Sequence, residues 1–309
     1  MSNSTVAVAM DLSVIICTHN PRKDYFEKVI NSLQSQTLPL KQWELLLIDN
    51  ASAKPLDAEV DLAWHSQARY IREEELGLTP ARLRGLRESK AETIVFVDDD
   101  NILNSDYLET AFHISKLWPT LGIWGGQTKP AFEEEPPDWT KPYWVNLAIR
   151  EFDCDRWSNI SHHSEALPCG AGLCMRRSVA EEYARLAKDK PERMLLGRKG
   201  KALSSGEDTD IAITACDIGY GMGLFKSLQL THLIPPSRLQ EDYLLKLEEG
   251  LSYSGTILNF LRQNELPKVT WRRKILRCVK FLCMAPRERR FHTASRRGFE
   301  KAAQEILTF

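Results

Sequence analysis

The segment Thr93-Ile94-Val95-Phe96-Val97, running directly into Asp98-Asp99-Asp100, constrains this chain more than any other. Five residues with strand character lead into three carboxylates. Each carboxylate resists desolvation, so no core would bury the cluster unpaired. The run therefore predicts an interior strand of a sheet whose carboxyl end opens into a cleft. Carboxylates crowded there repel one another unless a divalent cation lies between them, and hard oxygen ligands suit Mg²⁺ or Mn²⁺. A solvated acidic loop is the plainer alternative. The rest of the chain has to decide between them.

Strand and helix signals alternate around this run. Asp11–Cys17 is apolar on both faces, as a buried strand would be, and Thr18-His19-Asn20-Pro21 breaks it. Phe26, Val29, Ile30 and Leu33 then follow at helical spacing, and Trp43–Ile48 predicts a second strand stopped by Asp49-Asn50. Thr79-Pro80 offers a helix start, with Leu83 and Leu86 inward and Arg82, Arg84 and Arg87 around them. Asn104-Ser105 begins another helix. The alternation predicts an α/β fold, a mostly parallel sheet flanked by helices, with ligands bound beyond the carboxyl ends of the strands. Thr18–Asn20, Asp49 and Asp98–Asp100 all fall at such ends.

Further along, Gly122–Gln127, Gly170–Met175 and Leu224–Leu230 predict strands, while residues 130–144 predict a long loop. Trp139, Tyr143, Trp144 and Trp157 gather in this middle region, either as sugar-stacking faces or as core under a loop. Seven cysteines show neither disulfide nor zinc spacing, which points to a reducing cytoplasm. Neither a signal peptide nor eighteen consecutive apolar residues can be read. A net charge of −1 hides an asymmetry. Residues 267–309 carry twelve Lys/Arg against three Glu, leaving −10 for the preceding 266 residues. Trp271–Met284 mixes cations with apolar residues at helical spacing, suited either to an anionic membrane surface or to packing on the domain. An acidic body argues against nucleic acid.

Taken singly, the candidate residues are ambiguous. Asp49 could cap a turn or accept a hydrogen bond from a base or ribose. Glu207-Asp208-x-Asp210 could simply favour a helix dipole. His232 is a lone histidine after a strand. The order Ser13–Asn20 (SVIICTHN), Trp43–Asn50 (WELLLIDN), Ile94–Asn101 (IVFVDDDN), Gly170–Arg177 (GAGLCMRR), Gly206–Asp210 (GEDTD) and Thr231-His232 resembles the family 2 inverting glycosyltransferases over residues 11–235.

That resemblance implies the GT-A fold, with a catalytic domain over 1–240 and a basic helical extension over 241–309. Its nucleotide-binding half would span about 11–125 and its acceptor half about 126–240. It implies that Thr18, Asn20, Asp49, Arg82, Asp98 and Asp99 bind the nucleotide, with Asp49 on the base, Arg82 on the diphosphate and Asp98 on the ribose. Gly170, Ala171 and Glu207 would lie beside a sugar, Asp100 and His232 would hold the metal, and Asp208 would be the catalytic base. Leu83 departs from the asparagine usual after that arginine.

The expected reaction moves a sugar from a nucleotide-sugar donor, UDP-linked by analogy, to a hydroxyl of a saccharide or lipid-linked acceptor. A peripheral position on the inner membrane face is the matching location, and Thr231–Leu239 (THLIPPSRL) resembles bacterial surface-polysaccharide enzymes. Rival readings are a phosphohydrolase, a nucleotidyltransferase and a non-catalytic nucleotide-sugar binder. The first lacks an aspartate nucleophile after strand one, and the second lacks a glycine-rich basic loop. The third has no use for Asp208.

Overall fold

The computed structural model describes residues 10–162, 164–264, 281 and 283–309. Strands β1 (Leu12–Thr18), β2 (Trp43–Asn50) and β4 (Thr93–Val97) are buried almost throughout. With β3 (Ala68–Glu73) they form the parallel run β3-β2-β1-β4. Side chains alternate strictly across this run. Val14, Ile16, Leu45, Leu47, Val95 and Val97 face one core with α1 (Lys23–Gln34) and α3 (Tyr107–Leu117). Ile15, Leu46, Ile48, Ile94 and Phe96 face the other, with α2 (Leu78–Glu88), α4 (Arg177–Asp189) and α5 (Glu207–Asp217). Each such fully buried side chain contributes about 1.5–3 kcal/mol relative to exposure. That two-sided burial is why these strands read as continuous apolar runs.

Beyond β4 the sheet becomes mixed. β8 (Cys174–Arg176) lies antiparallel between β4 and β6 (Leu121–Phe132), and β6 runs parallel to β9 (Gly221–Ile234). β5 (Asn101–Leu103) and β7 (Arg156–Ser158) pair antiparallel with β9. The β5–β9 register sets Asn101 against His232, and the Leu233 N–H donates to the Asp100 carbonyl at 2.9 Å. Chain segments 130 residues apart are thereby clamped at the acidic turn.

β6 extends five residues past the end of the expected strand, and a 3-10 segment, Asp138–Leu147, occupies much of the expected loop. Trp139, Tyr143 and Trp144 are partly buried and follow the packing alternative. They pack with Leu147, Leu239, Leu244 and Phe291, and the Tyr143 and Phe291 rings stack at 3.8 Å. Trp157 stays 58% exposed beside Trp118, on a strand that pairs with the early part of β9.

α6 (Glu241–Gln263) and α7 (Pro286–Ile306) close the chain as a packed pair. At their closest approach a side chain at Gly298 would collide with the Glu249 carbonyl, so glycine alone permits the contact. Several tail cations meet acids of α6: Arg287 and Arg290 contact Glu241, and Arg297 contacts Glu249. Over 286–306 the basic face is thus partly neutralised within the protein. The stretch Trp271–Met284 lies outside the described residues apart from Phe281, Cys283 and Met284. No helix among the described residues is long and apolar enough to cross a membrane.

Candidate active site

A cleft of about 300 Å³ opens at the carboxyl ends of β1, β2 and β4, walled on its far side by α5, β9 and the turn before α6. That is the lower end of the usual range for a small-ligand site. Ten of the twelve residues singled out from the sequence line it: Thr18, Arg82, Asp98, Asp99, Asp100, Gly170, Ala171, Glu207, Asp208 and His232.

Two do not. The Asp49 carboxylate is fully buried and accepts from Ser52 N (3.0 Å), Leu56 N (3.2 Å), Tyr70 Oη (2.7 Å) and Arg72 Nη1 (2.8 Å). It lies outside the residues that line the cleft, committed to these four donors. Burial alone would raise its pKa, but the donors Ser52, Tyr70 and Arg72 hold it below the usual carboxylate range. Asn20 also stands outside. Its side-chain oxygen accepts from Ala53 N at 2.8 Å, and its amide meets His19 Nε2 at 2.8 Å. The neighbours take their places: His19 and Asn50 line the cleft. His19 Nδ1 donates to the Asn50 carbonyl at 2.7 Å. The Asn50 amide reaches Glu75 O at 2.7 Å and accepts from Gly77 N at 2.8 Å, which shapes the loop leading into α2.

Like charges about 4 Å apart repel by about 4 kcal/mol at an effective dielectric of 20, so three successive aspartates need distinct partners. Asp98 lies 3.7 Å from Arg82, and Asp100 pairs with Arg238 at 2.7 Å. Among the described residues Asp99 is hydrogen-bonded by the Thr18 hydroxyl, with Arg238 farther off. Withdrawal from solvent and the neighbouring Asp100 push the Asp99 pKa up to about 7. Burial opposes ionisation of Asp100 as well, yet His232 and Arg238 hold it well below the carboxylate range.

The two acids at the start of α5 are physically different. Glu207 is 2% exposed, and burial raises its pKa against the pull of Arg82, whose Nη1 donates to it at 3.2 Å. The Arg82 guanidinium, itself 4% exposed, thus ties Glu207 to Asp98 across the floor of the cleft. Gly170 packs against the same guanidinium, and a Cβ there would stand 3.0 Å from Arg82 Nη2. Asp208, by contrast, is half-buried. It accepts from Gly170 N at 2.9 Å and Thr209 N at 2.8 Å. It lines the cleft and forms no ion pair within 4 Å among the described residues.

Behind these acids, Asp210 anchors the helix start. Arg193 contacts one of its oxygens, and Arg262 of α6 donates to the other at 2.6 Å, to the Asp210 carbonyl at 2.6 Å and to Thr214 Oγ1 at 2.7 Å.

Five carboxylates face three guanidiniums (Arg82, Arg198, Arg238) in the cleft, a formal excess of two acids. Asp100 Oδ2 and His232 Nε2 lie 3.4 Å apart and supply an oxygen and a nitrogen donor. His232 Nδ1 donates to the Leu147 carbonyl at 3.0 Å, which leaves the Nε2 lone pair toward the cleft. These two residues fit a metal with at most two protein ligands; no group of three or more His, Cys, Asp or Glu suited to a cation occurs among the described residues.

Arg198 and Arg238 escaped the sequence reading. Arg198 sits in Gly197–Gly200, where no pattern marks it. Arg238 had a usable signal: Pro235-Pro236 after β9 forces a 3-10 turn, Pro236–Leu239, which carries residue 238 back to His232.

The model of the family described as Glycosyl transferase family 2 matches residues 13–183, more than half of the chain. A glucosyl-dolichyl phosphate glucuronosyltransferase of Haloferax volcanii is 21% identical over 82% of this chain and 78% of its own length. Glycosyltransferase AglE of the same organism is 30% identical over 32% of this chain and 33% of its own length. A poly(ribitol-phosphate) beta-glucosyltransferase of Bacillus spizizenii is 28% identical over 42% of this chain and 22% of its own. The chain therefore spans a third or less of these last two relatives. Among solved structures, S. aureus TarS 1–349 superposes with a TM-score of 0.52 at 16% identity, covering 95% of this chain and 89% of that one. The same TarS fragment in complex with UDP-GlcNAc gives 0.51 at 15% identity, over 82% and 72%. The GT-A architecture implied by the sequence is thus the one observed. By its family match and its fold, the chain belongs to glycosyl transferase family 2.

Proposed function

We propose that this protein transfers a sugar from a nucleoside diphosphate donor, UDP in the first instance, to an acceptor hydroxyl of a saccharide or lipid-linked saccharide. The reaction is a single displacement with inversion at the anomeric carbon. The observation that carries this reading is the division of labour at α5: Glu207 is buried on Arg82, while Asp208 faces the cleft with no cation on it. A carboxylate so placed can take the proton of an acceptor hydroxyl as the new bond forms, a contribution of about 10²–10⁴-fold.

The acidic turn after β4 and the arginines opposite it form the donor side. Asp98 and Asp99 stand where ribose hydroxyls can donate to them, and Arg198 and Arg238 can meet phosphate oxygens. Asp100 and His232 would hold a Mg²⁺ or Mn²⁺ ion, whose charge supports departure of the diphosphate. UDP is preferred because the superposed TarS structure holds UDP-GlcNAc.

Incubation with a panel of UDP- and GDP-sugars, with and without Mn²⁺, tests the reading. Release of nucleoside diphosphate together with a product of inverted anomeric configuration by NMR is expected. Retention of configuration would remove single displacement, and turnover of GDP-sugars alone would remove the uridine assignment.

A further inference from the structure

Two atoms suited to a divalent cation, Asp100 Oδ2 and His232 Nε2, already share a cation belonging to the protein. Arg238 Nη2 lies 2.7 Å from Asp100 Oδ2, and Arg238 Nη1 lies 2.9 Å from His232 Nε2. One guanidinium thus bridges both donors with its planar fork. The lone pair it uses on His232 is the one a metal would use, because Nδ1 is committed to the Leu147 carbonyl. A guanidinium and a metal ion cannot occupy these contacts together.

Arg238 is also placed to leave. It stands on the short turn between β9 and α6, its side chain is 22% exposed, and it lines the cleft with Arg198 and Tyr243. A long side chain on such a turn can swing within the cleft without disturbing a core strand. Asp100, by contrast, is fixed by the β5–β9 ladder and by Asn101 Nδ2 at 2.9 Å.

We propose that Arg238 is the resident counter-ion of the Asp100–His232 pair and makes metal binding conditional on the donor. Without donor, its guanidinium holds the pair and keeps the affinity for a free divalent ion low. When the diphosphate arrives with its metal, Arg238 yields the pair and carries its charge to a phosphate oxygen. The exchange moves no proton and breaks no covalent bond; one cation replaces another, and the displaced one finds a new anion. This inference rests on the metal reading given above. It adds an order of binding and a residue that sets it.

The test is Mn²⁺ binding followed by electron paramagnetic resonance of the free ion, with and without UDP, on the full chain. Wild type is expected to bind Mn²⁺ weakly alone and roughly tenfold or more tightly with UDP, within the usual span of coupling between two ligands. Arg238→Gln should bind Mn²⁺ alone about tenfold more tightly than wild type, while its affinity for UDP at saturating Mn²⁺ falls by a similar factor. Arg238→Lys keeps the charge and should keep the low affinity for the free ion. A purely structural ion pair would leave Mn²⁺ binding unmoved. If wild type forms the Mn²⁺–UDP complex but Arg238→Gln gains nothing for Mn²⁺ alone, the inference is overturned and the metal reading stands. If wild type binds UDP but never Mn²⁺, the metal reading fails and takes the inference with it.

Discussion

Adjacent residues in this chain have opposite fates, and the difference lies in what surrounds each side chain. Asp208 should be separable from stability. Asp208→Asn is expected to keep the melting temperature and UDP affinity near wild type while sugar transfer falls about 10²–10⁴-fold. A turnover assay beside a thermal melt checks both halves of that statement. Asp49 should behave in the reverse way. Its carboxylate is buried and paired, so removing it strands the Ser52, Leu56 and Tyr70 donors and leaves Arg72 with Glu74 alone. Asp49→Ala is expected to cost about 3–5 kcal/mol, measured by urea denaturation. Because its folded pKa is depressed, Asp49 adds stability that is complete above the ordinary carboxylate range. That stability disappears as pH falls through the depressed value. Asp49→Asn should therefore flatten the acid limb of the stability profile, and an unchanged limb would refute the assignment. The sequence places Asp49 at a strand end but does not reveal the partners that β3 brings to it. In Ala68–Glu73 (ARYIRE) charges interrupt the apolar residues, so the half-buried segment carries no strand signal. Yet the parallel register places Arg72 opposite Asp49, and Tyr70 also donates to it.

Elements were legible in proportion to how completely they are buried. β1, β2 and β4 could be read because both faces meet apolar cores. β6 and β9 were truncated because glycine, proline and polar residues carry them beyond their apolar centres. The start of α5 was legible as Gly206-Glu207-Asp208, but its anchor was not. Arg262 comes from α6, 52 residues later, and sequence periodicity contains no hint that it folds back on Asp210. That contact assigns α6 a task at the site. Arg262→Ala should cost about 2–4 kcal/mol, since it strips a partner from the buried Asp210. Amide exchange at the first turn of α5 should quicken in this variant, with turnover falling more than UDP affinity. Unchanged exchange at residues 207–211 would show that α5 holds its acids without α6.

At the scale of the whole molecule, the cleft joins the parallel run to the mixed half, and ten of the predicted residues converge there from six stretches of chain. A ligand that touches both halves should stabilise them together. UDP with Mn²⁺ at about a hundred times its dissociation constant is expected to add about 2.7 kcal/mol, visible as a raised melting temperature. A transition that splits in two on ligand addition would contradict the shared cleft. The joining of distant segments at this cleft also bears on how the protein is made. Asp100 obtains its position from a ladder closed by residues 230–232, and the cation bridging it comes at residue 238. A nascent polypeptide halted on the ribosome before that point holds every aspartate of the acidic turn and still has no finished receptor for a nucleotide. Completion of the cleft therefore comes late in synthesis, once residues 230–238 have been added.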